Sequence, residues 1–533
     1  MDRRLSNLTR ATHHPTGPSP PRFIIRCRAL TRVVEGTSQM ARAILAIDQG
    51  TTGTTAIVLD DEGRIRARAY GEIHQFYPRP GWVEHDPEEI YQSVIQLGAD
   101  ALAKARIGPN GLAAIGITNQ RETFVVWERR TGTPVHRAIV WQCRRSAEIC
   151  DAMRDREDLV ARRTGLLVDP YFSGTKLKWL LDSNPGLRRR GQRGDLCFGT
   201  IETWLAFRLS RGAAFITDYT NASRTMMLNL QRLAWDAPML ELLDVPAEML
   251  PRPVSSRGPI AEAAAGTITS RDVPIAALIG DQQSALFGQG ATRPGSAKAT
   301  YGTGAFLLMN TGQKRVRSRN RMLTTAALGP SGEPAYALEG SVFIAGAAVQ
   351  WLRDGLGLIA TSSESEPVAR ESKDRTQPYV VPAFVGLGAP YWDADARGAI
   401  VGLTRGTTRA DLVRATLDSI AYQVRDVLLA MEADHQHRLP QLFVDGGATA
   451  NDYLMQFQAD ILGRRVIRPA MVETTVLGAA ILAGMAAGLW RSAADLKDLR
   501  KSASVFRPSM RAAERERLTA GWREAVARVS SAR

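Results

Sequence analysis

The chain has 533 residues, 44% hydrophobic and 23% charged; this balance excludes a fibrous or disordered protein, and the length exceeds what one core organises, so two large domains or three smaller ones are expected. The formal net charge of +14 is neither gathered on one element nor joined to a nucleic-acid motif, which argues against a nucleic-acid partner. Four cysteines without a CxxC spacing and seven histidines without an HExxH pattern exclude a disulfide framework and a zinc site, and fit a reducing, cytoplasmic setting.

Residues 1–40 carry Arg3, Arg4, Arg10, Arg22, Arg26, Arg28 and Arg32 against Asp2 and Glu35, and are broken by Pro15, Pro18, Pro20 and Pro21. With no continuous apolar run they are not a secretory signal. They read as a disordered basic arm, the alternatives being an arginine-rich transit peptide or a start site assigned upstream of Met40. Ala43–Asp60, AILAIDQGTTGTTAIVLD, predicts a β-hairpin with Asp48 at the end of its first strand. Gly50, Thr51, Thr52, Gly53, Thr54 and Thr55 fill the turn, so that backbone N–H groups and hydroxyls converge on an anion.

A strand over Ala113–Ile117 leads to Arg121 and Glu122, and a second over Ala138–Trp141 precedes the DPYFSGTKLKWLLD segment that holds Tyr171. Asp281 ends an apolar strand in ALIGDQQSALFGQG and opens a helix-like run. A second hairpin, SAKATYGTGAFLLM, turns at Tyr301–Gly304, and a third glycine turn follows the strand Gln441–Val444 and leads into a helix over Asp452–Leu462. Thr474–Trp490 is uncharged but glycine- and alanine-rich and short of the ~20 strongly apolar residues of a membrane span, so it reads as a buried helix. The alternation predicts an α/β protein with covered sheets: an N-terminal domain over 41–289, a C-terminal domain over 290–505 and a basic tail over 506–533.

No GxxxxGK[ST] and no HRD or DFG set occurs, which excludes the P-loop and protein-kinase ways of holding ATP. Two facing domains, each offering a hairpin to the phosphates, remain. Asp48 is placed to hold the water shell of a phosphate-bridging Mg²⁺. Asp281 reads either as a helix N-cap or as a general base projecting into a cleft. Adjacent side chains diverge, so Arg121 and Glu122 are not expected to pair with each other; they form a solvated surface pair or divide donor and acceptor roles on a vicinal polyol. Trp141, Tyr171 and Phe306 are core residues or the apolar walls of a small-molecule pocket.

Together DQGTT, GITNQRET, IVWQCRR, DPYFSGTKLKWLLDSNP, GDQQSALFGQG, TYGTGAFLLMNTG, ALEGSVFIAGAAVQWLRD, APYWDADARGAIVGLTRGT and VDGGATANDYLMQFQADIL resemble the FGGY carbohydrate kinase family over about residues 43–505. NQRE, WQCRR and DPYFSGTK resemble its glycerol-phosphorylating members in particular. The resemblance implies two actin-like (ribonuclease H-like) domains facing a central nucleotide cleft, and transfer of the γ-phosphate of MgATP to glycerol to give sn-glycerol 3-phosphate and ADP. It implies that Arg121, Glu122, Tyr171, Asp281 and Gln282 bond the hydroxyls, that Trp141 and Phe306 flank the carbons, and that Asp281 is the base. Thr51, Thr52, Gly53, Thr303, Gly346, Gln350, Gly447 and Asn451 would hold the nucleotide, with Thr55 standing where many members carry an arginine, and Asp48 would serve the metal. The expected partners are glycerol and further copies of the chain, as dimer or tetramer, with no membrane insertion. The competing readings are a kinase of another polyol or a pentulose, and a non-enzymatic actin-like nucleotide-binding module.

The loop AAGTITSRDVPIAALIGD lacks both the glycine-rich basic stretch that resembles a sugar-bisphosphate site and the histidine that other members present for phosphorylation. Steady-state rates are therefore expected to be unchanged by fructose 1,6-bisphosphate or by incubation with a phosphotransfer protein, and inhibition or activation would contradict this.

Overall fold

The computed structural model describes residues 42–373, 378–393, 395–471, 473–496 and 502–531, so the arm expected over 1–40 lies outside the described residues. The first hairpin forms as expected: β1 (Ala43–Gln49) pairs antiparallel with β2 (Gly53–Asp60), with Asp48 opposite Thr55. β3 (Ile65–Glu72) continues antiparallel on β2. Helix α1 (Pro87–Ala105) starts where the Asp86 carboxylate caps the N–H of Glu88 and Pro87 takes a position that needs no donor, and it ends at left-handed Arg106. The chain then crosses back to β4 (Leu112–Asn119), parallel to β1 on its other side.

β5 (Arg257–Ala263) and β6 (Val273–Gly280) complete a six-stranded sheet of order β5-β6-β4-β1-β2-β3. β1 and β4 are almost wholly buried, which is why both read as unbroken apolar runs rather than alternating ones. Leu45, Ile47, Val58, Ile115 and Ile117 face a core shared with Ile90, Val94 and Ala101 of α1. Ile44, Ala46, Ile57, Leu59 and Ala114 face the opposite core.

After α2 (Asp281–Gly288) the scheme repeats. The second expected hairpin is β7 (Ala297–Tyr301) paired antiparallel with β8 (Ala305–Gly312). β9 (Leu323–Leu328) and β10 (Pro334–Val342) extend it on one side. The 27-residue helix α3 (Arg409–His435), closed at its start by a Thr408/Asp411 capping box, returns the chain to β11 (Gln441–Asp445), parallel to β7. Helix α4 (Asp452–Leu462) leads to β12 (Arg465–Pro469), parallel to β11. Each sheet therefore has a hairpin strand with an antiparallel neighbour on one side and a parallel, helix-connected neighbour on the other.

Two elements of the last sixty residues lie elsewhere than composition suggests. The expected buried helix is α5 (Thr474–Ala486), and it covers the sheet of the first half, although the sequence boundary puts it with the second. Val476, Leu477, Ile481 and Leu482 fill the core behind Ile44 and Ile57. Gly116 of β4 permits the approach, since a Cβ there would lie 2.5 Å from the Ala479 carbonyl oxygen. Among the described residues no helix is long and apolar enough to cross a membrane.

The second domain ends with β13 (Ser502–Phe506), which adds an edge to β12, and the stretch 506–533, expected to be a basic tail, instead carries helix α6 (Ala512–Val529). Leu518, Trp522, Ala525 and Val526 make one buried stripe on α6 while its arginines face out. Trp522 stacks on Tyr422 at 5.1 Å and its indole N–H donates to Asp426 at 2.6 Å. Trp522→Ala empties that place, and by ~3–5 kcal/mol lost for a buried large aromatic it is expected to lower the urea midpoint clearly. A midpoint equal to wild type would show that the helix is dispensable.

Candidate functional site

Beyond β4 the backbone turns sharply: Glu122 has φ +61° and the Thr123 N–H bonds back to the Arg121 carbonyl at 2.8 Å. The turn aims Arg121 and Glu122 inward, and both side chains are 2% exposed. They are 3.9 Å apart at their nearest charged atoms, and each has a closer partner elsewhere. Arg121 forks onto Glu339 of β10, with Nη1 at 2.7 Å and Nη2 at 3.0 Å. Glu122 Oε1 accepts from Arg224 Nε at 2.5 Å, and Arg224 Nη2 donates to Glu339 Oε1 at 2.9 Å.

Burial opposes ionisation of Glu339, but Arg121 and Arg224 outweigh it and hold the carboxyl at about 2. No motif or spacing in the sequence points to Arg224 or Glu339. What remains open is informative. Arg121 Nη2 lies 3.5 Å from the Tyr171 hydroxyl, Arg121 Nε has no well-directed hydrogen bond, and no described residue donates to the second oxygen of Glu122.

Asp281 is the first residue of α2, one place beyond the cap position, which Gly280 occupies. Its Oδ1 lies 3.1 Å from Arg121 Nε and its side chain is 28% exposed, so the carboxylate is held on one side and open on the other. Gly280 is required here, because a Cβ would come within 2.8 Å of the Arg121 side chain. The far end of α2 is pinned to α5: a Cβ on Gly288 would strike the Thr474 carbonyl at 2.3 Å, so the helices meet backbone to backbone.

The expected aromatics converge beside this carboxylate. Trp141 is edge-on to Tyr171 at 5.6 Å and to Phe306 of β8 at 6.2 Å, which gives the pocket walls from both halves. Tyr171 is positioned through its backbone: the Asp169 carboxylate accepts its N–H at 2.8 Å and buried Lys176 donates to its carbonyl at 2.7 Å. The Trp141 indole N–H donates to Thr51 Oγ1 at 2.9 Å, joining the pocket to the first hairpin.

In that hairpin the Gly50 N–H bonds the Gly53 carbonyl at 2.9 Å, leaving Thr51 and Thr52 at the tip; Thr55 lies within β2 opposite Asp48. Burial pushes the Asp48 carboxyl up to about 8, with Asp281 and Glu473 adding to the rise. A buried carboxyl raised in this way fits a divalent cation, which would favour the ionised form of Asp48. No cluster of three metal-ligating side chains occurs among the described residues.

The second hairpin and the third glycine turn meet. A Cβ on Gly446, at φ +91°, would lie 2.4 Å from the Tyr301 carbonyl, and the Gly346 N–H bonds the Gly302 carbonyl at 2.9 Å. Thr303, Gly346, Gln350, Gly447 and Asn451 all line one cavity of about 460 Å³. Ser365 and Glu366, missed in the sequence, complete the wall; Asn451 Nδ2 donates to Ser365 Oγ at 3.2 Å. Thr51, Thr52, Gly53 and Thr55 lie outside this cavity, on the hairpin of the other half.

The profile of the N-terminal domain of the FGGY family of carbohydrate kinases matches residues 43–288, and that of its C-terminal domain matches residues 297–487. The chain belongs to this family. Glycerol kinase 2 of Pseudomonas aeruginosa is 56% identical to this FGGY kinase over 487 residues, 91% of this chain and 96% of that one. Glycerol kinase 2 of Thermotoga maritima is 53% identical over the same length, covering 91% and 98%. The crystal structure of Plasmodium falciparum glycerol kinase with ADP superposes with a TM-score of 0.87 at 36% identity, over 92% of this chain and 98% of that one. Gluconate kinase from Lactobacillus acidophilus shares the two-domain α/β fold, with a TM-score of 0.81 at 22% identity and 92% and 99% coverage.

In this FGGY kinase Glu339→Gln strips two buried guanidiniums of a counter-charge and is expected to cost ~3–5 kcal/mol near neutral pH. The folded value of about 2 lies below the ordinary 4.5, so the carboxylate's contribution is complete above 4.5 and is lost as pH falls towards 2. The urea-midpoint gap between wild type and variant should stay constant above about pH 5 and narrow in acid. A gap that widens on acidification would contradict the assignment.

Proposed function

We propose that this FGGY kinase transfers the γ-phosphate of ATP to a terminal hydroxyl of glycerol, yielding sn-glycerol 3-phosphate and ADP. The observation that carries this reading is the half-open Asp281 carboxylate, 3.1 Å from Arg121 and beside the box of Trp141, Tyr171 and Phe306. The glycerol kinases to which the chain is more than half identical support the choice of acceptor.

In this mechanism Arg121 donates to one hydroxyl through its weakly used N–H groups and Glu122 accepts from the next through its free oxygen. Gln282 and Tyr171 serve the remaining hydroxyl positions, and Trp141 and Phe306 flank the carbon chain. Asp281 takes the proton of the terminal hydroxyl as that oxygen bonds the γ-phosphorus and the bond to the bridging oxygen of ADP breaks. Thr51, Thr52 and Gly53 from one half, and Thr303 from the other, grip the phosphates. The adenosine lies in the cavity lined by Gly346, Gln350, Gly447 and Asn451.

Asp48 would hold a Mg²⁺ ion, which would supply charge neutralisation on the phosphates. Thr55 stands where many members carry an arginine, so that cationic contact is made elsewhere or is weaker, while the chemistry is untouched. We place the domain division near residue 290, between α2 and β7, with closure of the halves excluding water that would compete as acceptor. A cytoplasmic site suits the buried free thiols of Cys143, Cys150 and Cys197.

Two measurements test the proposal. ADP release coupled to a panel of acceptors is expected to give the highest kcat/KM with glycerol, and a much higher value with a pentulose would overturn the choice. Asp281→Asn is expected to bind ADP within about twofold of wild type while kcat falls by roughly three orders of magnitude or more. Near-normal turnover in that variant would remove Asp281 from the role of base.

A further inference from the structure

One buried charge beside the acceptor box has no part in the mechanism above. Lys298 of β7 is fully buried, and its ammonium donates to Gln282 Oε1 and, at 2.7 Å, to Thr300 Oγ1. An ammonium has three donors and no acceptor, so the amide it meets must offer its oxygen. The Gln282 amide is thereby fixed in one of its two orientations, with Nε2 turned towards Asp281, 3.5 Å from Oδ2. The opposite orientation would set an amide oxygen against the carboxylate and take the donor away from the acceptor pocket.

The charge of Lys298 is maintained in place. Burial pushes the ammonium down to about 8, while Asp445 of β11, Asp281 of α2 and Glu339 of β10 pull it up and Arg121 pushes it further down. It therefore stays protonated at neutral pH. Its two acceptors belong to different halves of the chain: Gln282 lies on the helix that begins with Asp281, and Thr300 immediately precedes Tyr301 of the second glycine turn. One ammonium thus braces the acceptor-side helix against the strand that carries a phosphate hairpin.

We infer that Lys298 is a positioning residue for phosphoryl transfer, locking the Gln282 amide so that its NH₂ faces Asp281 and the polyol, and fixing α2 against β7. The inference rests on the proposed acceptor site, and the experiment separates the two. Lys298→Met keeps the volume and removes the donor. Steady-state kinetics are measured for wild type, Lys298→Met, Gln282→Ala and the double variant, with ADP affinity by calorimetry.

Lys298→Met is expected to raise the KM for glycerol and lower kcat, for a combined loss in kcat/KM of roughly tenfold or more, with ADP Kd within about twofold of wild type. In the Gln282→Ala background the same change should cost less than about twofold, because its target is already gone. Lys298→Arg, which keeps a cationic donor, should recover most of the loss. Independent, multiplying effects of the two single changes, or a loss confined to ADP affinity, would overturn the inference. If Lys298→Met does not fold, Lys298→Gln replaces it, with the same kinetic and calorimetric readouts and the same results expected of it. A wild type that releases no ADP on addition of glycerol would instead overturn the acceptor assignment on which the inference stands.

Discussion

The site is organised around four charges that cannot be left alone. Arg121, Glu122, Arg224 and Glu339 are all within 2% of full burial, where an unpaired ion costs several kcal/mol, so each requires the others. Glu339 stands on the second sheet and the other three on the first half, which ties the two halves together behind the acceptor box. Neutral bonds at the same seam follow: Ser223 to Thr325 at 2.9 Å, Gln283 to the Ala326 carbonyl at 3.0 Å, and the Thr324 N–H to the Gly165 carbonyl at 2.8 Å. These bonds hold the two halves together along this seam.

The same arrangement relates the acceptor box to the phosphate hairpins. Trp141 is both a wall of the box and the donor to Thr51 at the tip of the first hairpin. Asp281 adds to the rise of the Asp48 carboxyl, a repulsion that a bound cation would relieve. The network of paired buried ions thus lies beside a repulsive pair of carboxylates.

Much of this was legible in the sequence, for physical reasons. The two hairpins declare themselves because an apolar run, a glycine turn and a second apolar run allow few other folds, and Asp48 and Asp281 stand out as charges at the ends of apolar strands. The five predicted nucleotide residues of the second half meet in one cavity because glycines 346 and 446 allow turns to touch that side chains would keep apart. Arg224, Glu339 and Lys298 were not legible. The meaning of each comes from partners 16 to 218 residues away. Helix α6 was hidden by its arginines, although the spacing of Leu518, Trp522, Ala525 and Val526 carries the signal of a buried stripe. The place of α5 was beyond periodicity altogether, since a helix apolar on all sides does not say which sheet it covers.

That last feature bears on how the protein is made. All six strands of the first sheet have been synthesised by residue 280, yet the face formed by Ile44, Ala46, Ile57 and Leu59 waits for a helix ending at residue 486. A nascent chain thus lacks the cover of this face from residue 280 until residue 486, so the order of synthesis is not the order of packing. The buried core of the first sheet is thus closed by a segment almost two hundred residues further along the chain.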